Sequence, residues 1–229
     1  MTYVFDPPAV VSAAIAGQES RFPVHRIYCV GRNYAAHALE MGSDPDREAP
    51  FFFMKPADAV VASGAAIAFA RNTENLHYEI ELVIAIGKGG RDIARSEALD
   101  HVFGYGVGID LTRRDRQNEA KDAGRPWDIG KGFDNAAPLA PLHPASQVGH
   151  PTAGRIWLAV NGEVRQDSNL DQLIWSVPEI VSILSRSWDL KPGDLIYSGT
   201  PDKVGPLHPG DVVTGGIDGL THVKITLTP

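Results

Sequence analysis

A pair of glutamates sits inside an apolar stretch of this chain. In LHYEIELVIAIGK, Glu79 and Glu81 alternate with Ile80, Leu82, Ile84 and Ile86, so on a β-strand both carboxylates share one face with Val83 and Ala85. Like charges so placed repel each other, and a hard cation would remove the conflict. Mg²⁺ and Mn²⁺ take oxygen ligands, usually a few carboxylates with water or substrate completing the shell. A third carboxylate is available in Asp110, which closes the apolar run VFGYGVGID just before LTRRDRQNEAK, where a strand end would present it at a pocket edge. Three carboxylates beside small apolar residues are electrostatically costly without a cation. Glu-x-Glu alone leaves a solvated strand face open as the alternative. His77 has the same parity as both glutamates, which also leaves open a zinc or iron site with a histidine ligand.

A second group lies in GRNYAAHALEMG, residues 31–42. A helix over Tyr34–Met41 would place His37 and Glu40 on one face at i, i+3. A carboxylate bonded to one imidazole nitrogen fixes the tautomer and favours the charged form, leaving the other nitrogen to take a proton from water. An ordinary surface His/Glu pair is the alternative.

These groups need a frame. Strand-like runs occur at Ile27–Val30, Phe51–Met54, Glu79–Ile86, Tyr105–Asp110, Arg155–Val160, Asp194–Ser198, Asp211–Thr214 and His222–Leu227, punctuated by Gly and Pro. Helix signals are fewer: Tyr34–Met41 after Asn33 as N-cap, Arg113–Ala123 stopped by Gly124, and Val177–Ser185 with Pro178 in its first turn. With 23 Gly and 17 Pro the chain is rich in turns. The pattern predicts an α+β, mostly β architecture with a few short helices. Residues 1–20, rich in Pro and Ala, read as an arm or edge strand, and residues 21–229 as one catalytic unit.

Composition narrows the function classes. The 229 residues are 43% hydrophobic, enough for a sizeable core, and 21 Lys+Arg against 28 Asp+Glu give a formal charge of −7. No long basic run is present to track a phosphate backbone, so nucleic acid is not an expected partner. Cys29 is the only cysteine, so no intrachain disulfide forms. The first residues carry no basic n-region, and no apolar run approaches the ~20 residues that span a bilayer. A cytoplasmic protein with no membrane partner is the expectation. GKGG at 87–90 lacks the spacing of a Walker loop, no G-x-G-x-x-G follows a strand and no G-x-S-x-G elbow is present, so nucleotide and serine-hydrolase chemistry have no support. Trp127, Trp157, Trp175 and Trp188 are read as core or interface aromatics.

Seven segments occur in a familiar order: VGRNYAAHALEMG, FFFMKPADAVV, LHYEIELVIAIGK, GYGVGIDLTRRDRQ, RPWDIGKGFD, VNGEVRQD and YSGTPDKVGP. In this the chain resembles the fumarylacetoacetate hydrolase family over about nine-tenths of its length, most of all the short single-domain acylpyruvate and fumarylpyruvate hydrolases. The resemblance implies the family's mixed β-sandwich roll, a homodimer, and a divalent cation, usually Mg²⁺ and in some members Mn²⁺ or Ca²⁺, on Glu79, Glu81 and Asp110. It further implies that His37 and Glu40 activate a water, on a segment that closes over ligand in relatives. Gln117, Lys131 and Thr200 match further site positions of the family, and Arg32, Tyr34 and Lys55 lie in matching motifs with less defined roles.

The implied chemistry is C–C hydrolysis of a 3-acylpyruvate. Water attacks the distal carbonyl, and the bond breaks because its electrons enter a pyruvate enolate beside the cation. Lys131 and Gln117 would donate to substrate oxygens, with Lys131 as a structural partner of a nearby carboxylate the alternative. For fumarylpyruvate, a cationic group is needed at the far end of the pocket, with candidates Arg32, Arg113 and Arg114, of which Arg32 adjoins the His37 segment. Oxaloacetate decarboxylation or 2-hydroxydienoate isomerisation on the same scaffold are the alternatives. A non-catalytic protein with a structural cation is the different-class alternative, and it has no use for His37, Glu40 or Lys131. On this reading Glu79→Gln loses metal and turnover with the fold intact.

Overall fold

The computed structural model describes residues 2–36 and 49–229. His37, Glu40 and the greater part of the expected Tyr34–Met41 helix lie outside the described residues. In chain order the strands are β1 (Ser12–Ala14), β2 (Arg21–Pro23), β3 (Ile27–Gly31), β4 (Phe51–Lys55), β5 (Val60–Ala62), β6 (Ala66–Ala68), β7 (Leu76–Tyr78), β8 (Ile80–Ile86), β9 (Val102–Ile109), β10 (Thr112–Arg113), β11 (Ala137–Leu139), β12 (His143–Pro144), β13 (Arg155–Val160), β14 (Glu163–Asn169), β15 (Leu195–Tyr197), β16 (Gly205–Leu207), β17 (Val212–Ile217) and β18 (Val223–Thr228).

The largest sheet runs β4-β3-β15-β8-β9-β11-β5, with β12 on β9, and mixes parallel and antiparallel pairs. All seven residues of β8 are buried, which marks a central strand covered on both faces. Its cover on one side is a five-stranded sheet, β14-β13-β17-β18-β6. Gly215 of β17 allows the close approach: a Cβ there would lie 2.4 Å from Ile80 Cδ1. A third, small sheet has the order β10-β7-β16. The result is a mostly β sandwich roll with short helices, as expected from sequence.

Several boundaries differ from the sequence reading. The expected strand Glu79–Ile86 is β8, Ile80–Ile86, but the residues just before it form β7 in a different sheet, with Glu79 between the two. Short strands such as β5, β6 and β16 were not expected, since three residues carry no readable period. β14, EVRQDSN, was missed because it is a polar edge strand, buried fully only at Gln166. Asn33, the expected N-cap, has another task. Its amide donates to Trp175 O (3.0 Å) and Ser198 O (2.8 Å) and accepts from Trp175 N–H (2.7 Å), tying β3 to two loops.

The helices Arg114–Asp122 and Val177–Leu184 stand within a residue of expectation. In the second, Glu179 accepts from the N–H and hydroxyl of Ser176, capping the first turn. Near the N-terminus, β1 pairs with β2, and Ala13 and Phe22 reach the core, while Tyr3, Val4 and Phe5 are exposed. Among the described residues no helix is long and apolar enough to cross a membrane.

Candidate active site

Glu79 is the residue at which the chain leaves β7 and enters β8. Its carbonyl accepts the N–H of Asp110 (2.8 Å), just past the end of β9, so the antiparallel pairing of β8 with β9 delivers the third carboxylate opposite the first. Glu79, Glu81 and Asp110 are all buried, and their ligand oxygens lie within 4.8 Å of one another. Three converging carboxylates suit a hard divalent cation. His77 does not join them: its ring is bonded to Asn75 Oδ1 (2.9 Å) and takes Arg114 Nε (3.3 Å).

The chain itself supplies much of the compensating charge, and Lys131 is the carboxylate partner that was the alternative to its donor role. Lys131 Nζ reaches Glu79 Oε2 (2.8 Å), Asp110 Oδ2 (2.7 Å) and Thr112 Oγ1 (2.7 Å). Burial opposes its charge, but Asp110 and Glu79 outweigh that and raise its pKa. Lys55 Nζ pairs with Asp110 Oδ1 (2.8 Å) and donates to the carbonyls of Leu111 and Lys131. Arg114 Nη2 pairs with the other oxygen of Glu79. Glu81 makes no ion pair among the described residues. It accepts the N–H of Gly199 (2.7 Å), yet burial, then Asp110 and Glu79, push its pKa well above the usual carboxylate range.

Local structure explains how these groups are held. Lys131 ends the short helix Asp128–Lys131, which packs onto Arg114–Asp122 through Gly130, where a Cβ would lie 2.9 Å from Gln117 N. Gly199 has φ of +101° and would place a Cβ 2.7 Å from that of Asn33, so only glycine fits the turn that aims its N–H at Glu81.

A pocket opens beside the triad, lined by Glu79, Glu81, Lys131, Gln117, Thr200 and Arg32, with Phe53 and Trp127 as apolar walls. Gln117 Oε1 is taken by Arg114, while its N–H donors meet no acceptor among the described residues. Of the three arginines weighed from sequence, Arg32 lines the pocket. Arg114 is committed to Glu79 and Gln117, and Arg113 stacks over Phe133 (4.3 Å) and donates to Ile129 O (3.2 Å). Tyr34 is buried and is not among the lining residues. Burial and then Glu81 push its phenol pKa up.

Comparison with known proteins decides the family. Residues 26–228 match the model for the fumarylacetoacetate (FAA) hydrolase C-terminal domain. The chain belongs to the fumarylacetoacetate hydrolase family. Within that family it is 43% identical over 191 residues to a fumarylpyruvate hydrolase of a Ralstonia species, covering 82% of this chain and 99% of the relative. It is 41% identical over 198 residues to a mitochondrial oxaloacetate tautomerase of Mus musculus, covering 86% and 89%. The crystal structure of a fumarylpyruvate hydrolase from Pseudomonas aeruginosa in complex with Mn²⁺ and pyruvate superposes with a TM-score of 0.97 at 57% identity, covering 99% of each chain.

Beyond the fumarylacetoacetate hydrolase motifs read from sequence, the structure adds Lys55 and Arg114 as charge partners, Thr112 as a Lys131 acceptor, Gln166 behind the pocket and Trp127 as a wall rather than plain core. Lys55 had a signal: a lysine ending the apolar strand FFFMK, buried with no water to solvate it. Lys55→Met should lower stability by about 3 kcal/mol, since it leaves part of the buried Asp110 charge and two carbonyls without a donor. Urea unfolding with chelator present measures this, and an unchanged midpoint would show Asp110 sufficiently compensated by Lys131.

Proposed function

We propose that the protein is a divalent-metal-dependent hydrolase that cleaves the C–C bond of a 3-acylpyruvate, with fumarylpyruvate giving fumarate and pyruvate. The observation that carries this reading is a pocket that joins a carboxylate triad and the Lys131 charge to the side-chain donors Gln117, Thr200 and Arg32. Three carboxylates are already accompanied by Lys55, Lys131 and Arg114, so a divalent cation added there leaves surplus positive charge facing the pocket. Such a site favours a small polyanion over a neutral ligand. A purely structural ion has no need of these donors.

Glu79, Glu81 and Asp110 would hold the cation, Mg²⁺ with Mn²⁺ or Ca²⁺ as alternatives, which supplies Lewis acidity toward the negative charge that develops as the C–C bond breaks. His37, oriented by Glu40, takes a proton from the water that adds to the distal carbonyl carbon. Collapse of that adduct releases fumarate and leaves the bond's electron pair in the enolate of pyruvate. Gln117 and Thr200 donate to the keto-acid end, Lys131 spends its three N–H donors holding Glu79, Asp110 and Thr112 and adds positive charge beside that end, and Arg32 takes the far carboxylate through paired N–H bonds.

A second reading, action on oxaloacetate, is favoured by the 41% identity to the mouse oxaloacetate tautomerase. Oxaloacetate is also a dianion, but its second carboxylate lies nearer the chelating end. The two readings part on rates measured side by side with fumarylpyruvate, acetylpyruvate and oxaloacetate. Fumarylpyruvate should show a kcat/KM at least about 10-fold above acetylpyruvate, and Arg32→Ala should close most of that gap, the scale of one charge-assisted bond. Equal or faster turnover of oxaloacetate would select the second reading.

The working form in this proposal is a cytoplasmic homodimer in which residues 21–229 form the catalytic unit and residues 1–20 an arm. The exposed Met54 and Ile129 near the sheet edge at β4 support a self-association surface.

A further inference from the structure

We propose that Gln166 is a positioning residue that fixes Thr200 as a hydrogen-bond donor into the pocket; this rests on the keto-acid reading above. Gln166 lies on the edge strand β14, yet it is 0% exposed, while Val164, two residues earlier, is 48% exposed. In a regular strand the two would share a face. The pairing of β13 with β14 slips at this point: Leu158 faces Gln166 but Ala159 faces Val164, leaving Arg165 as a bulge. That bulge turns Gln166 inward, toward Ile80 of β8 and the loop at residues 200–202.

There the amide is fully used. Its Oε1 accepts the N–H of Ile80 (3.1 Å), the residue between the two glutamates. Its Nε2 reaches Thr200 Oγ1 (3.0 Å), Pro201 O (2.9 Å) and Asp202 O (3.2 Å). Ile80 N–H can only donate and the two carbonyls can only accept, so the amide has one workable orientation. Thr200 is therefore an acceptor toward Gln166, and its single hydroxyl proton must point elsewhere. No acceptor among the described residues takes that proton, and Thr200 lines the pocket. The hydroxyl is thereby set to donate to an oxygen of a bound 2-keto acid, and the opposite polarity, Thr200 accepting from ligand, is disfavoured.

Gln166 acts through Thr200, so the two should not be independent in ligand binding. The probe is pyruvate, titrated calorimetrically into Mn²⁺-saturated protein. Thr200→Val and Gln166→Met should each weaken pyruvate by about 10-fold, and the double variant also by about 10-fold rather than the ~100-fold of independent losses. Mn²⁺ affinity without pyruvate should stay within about 3-fold of wild type, which a general loosening of the site would not allow. Should Gln166→Met fail to fold, Gln166→Glu keeps the side-chain length and the acceptor for Ile80, removes the amide donor to Thr200, and is expected to behave the same way. Independent, multiplicative losses with wild-type pyruvate binding intact would overturn the positioning role alone. A wild-type protein that binds no pyruvate would overturn the keto-acid reading, and this inference with it.

Discussion

Glu81→Gln should bind no Mn²⁺ at concentrations that saturate the wild type, and should lose turnover, while unfolding within about 1 kcal/mol of wild type when both are measured in chelator. The asymmetry within the triad makes this variant the informative one. Glu81 has no ion pair among the described residues, receives a single backbone N–H from Gly199, and is pushed toward its neutral form by burial and by Asp110 and Glu79. A glutamine has nearly the same shape and carries no charge for burial and its neighbours to oppose, so the metal-free fold loses little. Glu79→Gln differs, because Glu79 is partner to both Arg114 and Lys131, and neutralising it leaves two buried cations short of charge at a cost of about 3 kcal/mol. The intact fold anticipated for Glu79→Gln from sequence is thus revised. Calorimetry with Mn²⁺ and unfolding with chelator read the two effects separately. Undiminished Mn²⁺ affinity in Glu81→Gln would remove Glu81 from the ligand set.

His37→Ala should reduce kcat by about 100-fold or more, the usual scale for loss of a general base, with Mn²⁺ affinity unchanged. Glu40→Gln should cost less, since it alters only the orientation and charge of the imidazole. The contrast with Glu81→Gln separates the two functions: one variant loses metal and the other loses proton transfer. In the pH profile, the acidic limb of kcat/KM should disappear in His37→Ala, because the base works only when neutral. Loss of Mn²⁺ from His37→Ala would reassign His37 as a ligand.

Much of this protein could be read along the chain. The mostly β fold followed from apolar runs of five to eight residues cut by Gly and Pro, because burial of such runs in a sheet leaves a one-dimensional trace. Glu79, Glu81 and Asp110 were legible for the same reason: a carboxylate inside or at the end of an apolar strand is a local contradiction, visible without coordinates. What the sequence could not decide was how that contradiction is resolved. Lys55 comes from β4, Lys131 from a four-residue helix and Arg114 from the helix after β10, and only chain crossing brings all three to the carboxylates. The break at Glu79 was equally hidden, since one residue passing between two sheets leaves the alternation of LHYEIELVIAI undisturbed. Gln166 shows the limit most clearly. In VNGEVRQD it is one polar residue among several, and it is fully buried because a bulge in β14 turns it toward β8 and the loop at residues 200–202. Residue type and spacing therefore determined which groups can do chemistry here, while partner, orientation and hydrogen-bond polarity were decided by contacts between residues 52 to 165 positions apart, for which a linear sequence carries no physical record.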